Sequence, residues 1–117
     1  MKIAIVGCGD RSVRLMKIFD QYAFQEIHPL VVAVVDIAPD APGVQIALQK
    51  GIPVFADYQE LLPRTDIDLI IELTGKDDIF NDLLRRKSKS VRIISSQTVK
   101  LFWELSYASR LQEQTSR

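Results

Sequence analysis

Short, nearly continuous apolar runs alternate along the chain with stretches in which apolar residues recur every three or four positions. Four runs stand out: "KIAIVG" at 2–7, "LVVAVVD" at 30–36, "DLIIELTG" at 68–75 and "VRIISS" at 91–96. They are rich in β-branched residues and lack a polar face. That predicts strands buried on both sides, as in a parallel sheet covered by helices. "IPVFA" at 52–56 is a fifth strand candidate.

Helices are predicted between the runs. After the first run, Val13, Met16, Phe19 and Ala23 fall at helical spacing. "GVQIALQKG" places Val44, Ala47 and Leu48 on one face, with Gly51 as a C-terminal cap. "DYQELL" at 57–62 has Asp57 as N-cap and is ended by Pro63. "KDDIFNDLLRRK" opens with acids and closes with bases, which complements a helix dipole. The alternation predicts an α/β fold: a doubly wound parallel sheet of about five strands with right-handed crossovers.

The final segment, "TVKLFWELSYASRLQEQTSR" at 98–117, predicts an amphipathic helix. Leu101, Leu105, Ala108 and Leu111 form its stripe, flanked by Phe102 and Trp103. So much aromatic surface needs a partner. The helix either closes the last face of the sheet or serves as a dimer contact or a link to a further domain. The expected organisation is therefore a sheet domain over 1–97 and this helix over 98–117.

Composition narrows the function classes. Fifteen basic residues balance fifteen acidic ones, which argues against a dominant role on nucleic acid or a membrane surface. One cysteine excludes an internal disulfide and a cysteine-based zinc site, and it suits a reducing compartment. The opening "MKIAIVG" has no small-residue cleavage pattern and is read as strand rather than signal peptide. With no apolar stretch of membrane-spanning length, the expected location is cytoplasmic.

Candidate chemistry begins at "GCGDRS", residues 7–12. After a central strand of such a sheet, Gly7 permits a tight turn and Gly9 lets backbone approach a pyrophosphate. The N–H groups that open the next helix, from Cys8 through Asp10, then face the anion. Ser12 stands where the dinucleotide-binding fingerprint G-x-G-x-x-G has its third glycine. Arg11 is either a phosphate contact or a solvated side chain. Cys8 lies at a helix N-terminus, which is expected to lower its thiol pKa.

Asp36 ends the second run 24 residues beyond Ser12, near the roughly 20 expected of a ribose-binding acid. Its other reading is a turn residue. A carboxylate there repels a 2′-phosphate, and "IAPDAPG" supplies no arginine to neutralise one. The expected cofactor is NAD, with NADP less favoured. Thr74 and Gly75 fall at the rim, near the nicotinamide ribose or the pyrophosphate. Glu72, a carboxylate in an apolar strand, is either functional or a satisfied structural acid. His28 has no nucleophile or carboxylate pair beside it, and no metal-ligand spacing or P-loop lysine motif occurs.

"KIAIVGCGDRS", "VVAVVDIAPDAPGVQIALQKGIPVFADYQELL" and "DIDLIIELTG" together resemble the N-terminal dinucleotide-binding domain of the glucose-fructose oxidoreductase superfamily and of homoserine dehydrogenase. The resemblance covers about residues 1–97 and implies a Rossmann-like fold. It implies pyrophosphate at Gly7 and Gly9, ribose at Asp36, and further contacts at Thr74 and Gly75. Those enzymes carry a large substrate domain and a lysine-proline motif after the fifth strand. This chain has Ser95, Ser96 and Gln97 there, and Lys100 inherits no catalytic role.

"ELTG", "LFWEL" and "RLQEQTSR" also resemble the N-terminal module of some bacterial sensor histidine kinases. That resemblance implies a nucleotide-binding module leading through a helix into sensory and kinase domains. The leading expectation, from the glycine turn with Asp36, the missing catalytic half and the unfinished helix, is a non-catalytic regulatory module that binds NAD or NADH and signals through its C-terminal helix as a homodimer. The alternatives are the cofactor-binding half of an NAD(P)-dependent dehydrogenase and a degenerate fold acting as a dimerisation platform.

Overall fold

The computed structural model describes residues 1–115. Its core is a sheet of five parallel strands: β1 (Lys2–Val6), β2 (Leu30–Val35), β3 (Val54–Phe55), β4 (Leu69–Glu72) and β5 (Arg92–Ile94). Their spatial order is β3-β2-β1-β4-β5. The expected doubly wound fold is therefore present, with the first strand at its centre. Val6 pairs with Val35 on one side and with Glu72 on the other, so three strands end level with one another.

Alternation along the strands divides the core into two layers. Ile3, Ile5, Val34 and Ile71 meet α1 (Asp10–Gln21), α2 (Pro42–Gln49) and the first turn of α4 (Ser96–Thr115). Ala4, Val6, Ala33, Val35 and Ile70 face the opposite layer, built from a 3-10 turn (Tyr58–Leu61) and α3 (Asp77–Arg86). Each large aliphatic side chain sealed between layers contributes about 1.5–3 kcal/mol.

Local chemistry sets the helix ends. Pro42 opens α2, where its missing N–H costs nothing. Gly51, at φ +71°, closes α2 as expected. The Gly51 N–H donates to Leu48 O and the Ile52 N–H to Ala47 O, which completes a Schellman motif. Asp77 and Asp78 open α3, and Arg85 and Arg86 close it.

The structure corrects several expectations. The helix expected over 57–62 is only the 3-10 turn, although Asp57 does cap it by accepting from the Gln59 N–H at 2.9 Å. The strand expected over 52–56 shrinks to a two-residue edge, pairing with β2 only at Val54 and Phe55. Leu48 is exposed rather than on the buried face of α2, and α1 ends before Ala23.

On α4 the expected stripe is the outer face: Leu101 and Leu105 are exposed, as is Ala108, whereas Val99 and Trp103 pack on the sheet. Arg14 of α1 stacks over the Trp103 ring at 5.8 Å. The Leu111 side chain lies outside the described residues. No helix among the described residues is long and apolar enough to cross a membrane.

Candidate functional site

A cleft of about 630 Å³ opens at the carboxyl ends of β1, β2 and β4. It exists because the connections from β1 and from β4 leave the sheet toward opposite faces, so no helix covers the gap between them. Its wall contains Gly7, Cys8 and Gly9 from the first turn, Asp36 and Ile37 after β2, and Leu73 and Thr74 after β4. Five sequence-predicted residues thus meet in one cavity.

The turn after β1 requires its glycine. Gly7 has φ +98°, and a Cβ there would lie 2.8 Å from Thr74 N. The Gly7 N–H donates to Val35 O at 2.8 Å and the Leu73 N–H to Val6 O at 2.7 Å, which ties the three strand ends together. Gly9 behaves differently. A Cβ on Gly9 would meet nothing within 4 Å, because this residue faces open space at the N-terminus of α1. No side chain caps α1, and among the described residues the N–H groups of Gly9, Asp10 and Arg11 have no intramolecular acceptor. That is a cradle suited to an anion.

Asp36 is held between two backbone donors. Its Oδ2 accepts from the Cys8 N–H at 2.7 Å and its Oδ1 from the Ala38 N–H at 2.8 Å. Each oxygen keeps further acceptor capacity for a ligand hydroxyl. The Cys8 amide is consequently spent on Asp36 rather than free for an anion.

The expectation of a lowered thiol pKa at Cys8 is overturned. The side chain is buried, and burial, followed by the Asp36 charge, pushes the thiol up to about 12; the thiol donates to Val35 O at 3.4 Å. The side chain packs beneath the cleft and is not a nucleophile within it.

Ser12 is buried and its Oγ donates to Gly9 O at 2.6 Å. It also explains a glycine that the fingerprint does not contain: a Cβ on Gly43 of α2 would lie 2.1 Å from Ser12 Oγ. Ser12 therefore sits between α1 and α2, outside the cleft. Asp10 and Arg11 are exposed and their side chains do not line the cavity, so the expected Arg11 contact to an anion gets no support from its position. Gly75, at φ +73°, turns the chain beyond Thr74 and is not part of the wall.

Glu72 is 1% exposed, and it is satisfied. Its Oε1 accepts from the Thr74 N–H at 2.6 Å and from the Thr74 hydroxyl, while Thr74 Oγ1 accepts from the Lys76 N–H at 3.1 Å. The structural reading of Glu72 holds, with a consequence for the site: it fixes the loop that carries Thr74.

Sequence reasoning missed Asp57, Tyr58, Lys76 and Ile79, all part of the wall. Asp57 and Tyr58 follow β3 and reach the cleft because β3 lies outside β2. The Tyr58 hydroxyl donates to Asp82 Oδ2 at 2.6 Å, linking this rim to α3. That bond raises the tyrosine pKa and, with Arg86 and Arg85, holds Asp82 below the usual carboxylate range. Among the described residues no cluster of His, Cys, Asp and Glu suits a metal ion.

No protein-family model matches the chain, and no curated protein matches it in sequence. Solved structures do match. An NAD-binding protein from Listeria innocua aligns at a TM-score of 0.56 and 19% identity, over 80% of this chain and 26% of its own. Apo scyllo-inositol dehydrogenase from Lactobacillus casei aligns at a TM-score of 0.50 and 25% identity, over 81% of this chain and 27% of its own. The chain thus spans about a quarter of the length of each. The fold is Rossmann-like.

Proposed function

We propose that this chain is a dinucleotide-binding domain that takes NAD or NADH, and that it forms the cofactor-binding part of a dehydrogenase-type protein. The observation that carries the reading is Asp36, fixed at the end of β2 with free acceptor capacity and facing the same cleft as the Gly7–Gly9 turn. In this reading Asp36 accepts the adenosine ribose hydroxyls, and the open N–H groups at the start of α1 receive the pyrophosphate. Thr74 lies at the nicotinamide end, with Gly75 shaping the turn behind it. Bound there, the cofactor supplies hydride transfer; the chain's residues bind and orient it.

NAD is favoured over NADP because Asp36 and Asp57 place two carboxylates in the wall and, among the described residues, no arginine lines it. The two solved neighbours, an NAD-binding protein and a dehydrogenase, are consistent with the reading. Calorimetric titration with NAD, NADH and NADP tests it. Binding of NAD(H) tighter than NADP is expected; no heat and no thermal shift at millimolar nucleotide would overturn it.

A second reading rests on the outer face of α4, where Leu101, Phe102 and Leu105 are exposed. In it, residues 98–117 carry ligand state to a second copy or to another domain, and the chain is a regulatory module. Sedimentation of the wild type against Leu105→Glu tests this. Association that the substitution abolishes supports it; a wild type monomeric at every concentration removes the second-copy form.

A further inference from the structure

The cleft wall carries two carboxylates, Asp36 and Asp57, both on the β2–β3 side. Its only basic residue among those described is Lys76, on the β4 side. Lys76 is exposed, and among the described residues its ammonium pairs with no carboxylate. Asp77 and Asp78, next along α3, do not line the cavity. The cleft is therefore polarised, negative at one end and positive at the other.

The backbone that bears Lys76 is unusually well fixed for a loop. Glu72 binds both the N–H and the hydroxyl of Thr74, and Thr74 Oγ1 accepts the Lys76 N–H at 3.1 Å. Thr74 in turn lies against the glycine turn, with its nitrogen 2.8 Å from where a Gly7 Cβ would stand. Because the Thr74 hydroxyl proton is committed to Glu72, Thr74 has only acceptor capacity left for a ligand. The charged donor on this rim is the Lys76 side chain.

We propose that Lys76 pairs with the anionic centre of the ligand above the Gly7–Gly9 turn, the pyrophosphate if the NAD reading is right, and so selects charged dinucleotides over their uncharged fragments. The Glu72–Thr74 unit positions it. This rests on the cofactor reading. An ammonium is a compact, flexible point charge, so an exposed lysine meets a phosphate without a preformed fork.

The test is titration of the full chain with NAD and with adenosine, for the wild type, Lys76→Met and Lys76→Arg, at low and high salt. Lys76→Met should weaken NAD by about tenfold, the scale of one charge-assisted hydrogen bond. It should leave adenosine unchanged and flatten the salt dependence of NAD binding, and Lys76→Arg should restore most of the loss. Equal NAD affinity in wild type and Lys76→Met overturns this inference alone. So does an equal loss toward NAD and adenosine. A wild type that binds neither ligand overturns the cofactor reading and the inference together.

Discussion

The Cys8 N–H donates to Asp36 Oδ2 at 2.7 Å, so the turn after β1 and the acid after β2 form one hydrogen-bonded unit. The carboxylate that sequence spacing assigns to a ligand thus also shapes the loop beside it. Loss of the carboxylate would remove the acceptor that joins them.

Asp36→Ala is expected to weaken NAD binding by about 1–3 kcal/mol, the scale of a lost hydrogen bond with its partner left unpaired. It should also lower the melting temperature, since the Cys8 and Ala38 amides lose their acceptor. Equilibrium titration beside a thermal melt checks it. Unchanged affinity would exclude Asp36 from ribose contact.

Gly43→Ala should cost about 1–3 kcal/mol by overpacking, because its Cβ would press on Ser12 Oγ at 2.1 Å and on Cys8 at 2.9 Å. Adding Ser12→Gly should recover part of the loss by removing the nearest atom. Urea unfolding of the four chains gives the coupling directly. Strictly additive losses would show that the two residues do not share one space.

The Cys8 thiol, buried and raised to about 12, should resist alkylation in the native protein near neutral pH and react once urea opens the fold. A thiol pKa raised by folding favours the neutral form. Its contribution to stability is therefore complete below the ordinary thiol value of 9.0 and is lost as pH rises toward 12. Rapid labelling at neutral pH without denaturant would contradict the burial.

Tyr58 and Asp82 predict a pH dependence at both ends. The Asp82 pKa is lowered, chiefly by the Tyr58 hydroxyl, so its contribution holds above the ordinary carboxylate value and fades as pH falls through the lowered one. The Tyr58 pKa is raised, chiefly by Asp82, so its contribution holds below about pH 10 and fades as pH rises through the raised value. Tyr58→Phe should flatten both limbs of melting temperature against pH. Limbs identical to wild type would show that the bond carries no stability.

The strands were legible because burial on both faces demands continuous apolar runs, and "LVVAVVD" and "DLIIELTG" have no competing helical period. The place of Asp36 in the cleft was legible because it follows β2 directly, at the strand end beside the glycine turn. Lys76, Asp57 and Tyr58 were not, because they reach the cleft only through strand order, which brings the ends of β3 and β4 to the two sides of β1 and β2. On α4, apolar residues occur on several faces, so spacing alone favoured the leucines. Packing against α1 and the sheet instead selected Val99 and Trp103. At Cys8 the helix-end argument failed because desolvation outweighs it.

Ser12 and Gly43 stand 31 positions apart and yet answer one steric demand. The room that a third glycine would leave on α1 is supplied from across the helix pair, on α2. The demand is met in the packed space between two helices rather than along the linear string. A search that reads only consecutive residues sees a missing glycine; in three dimensions it has changed helices.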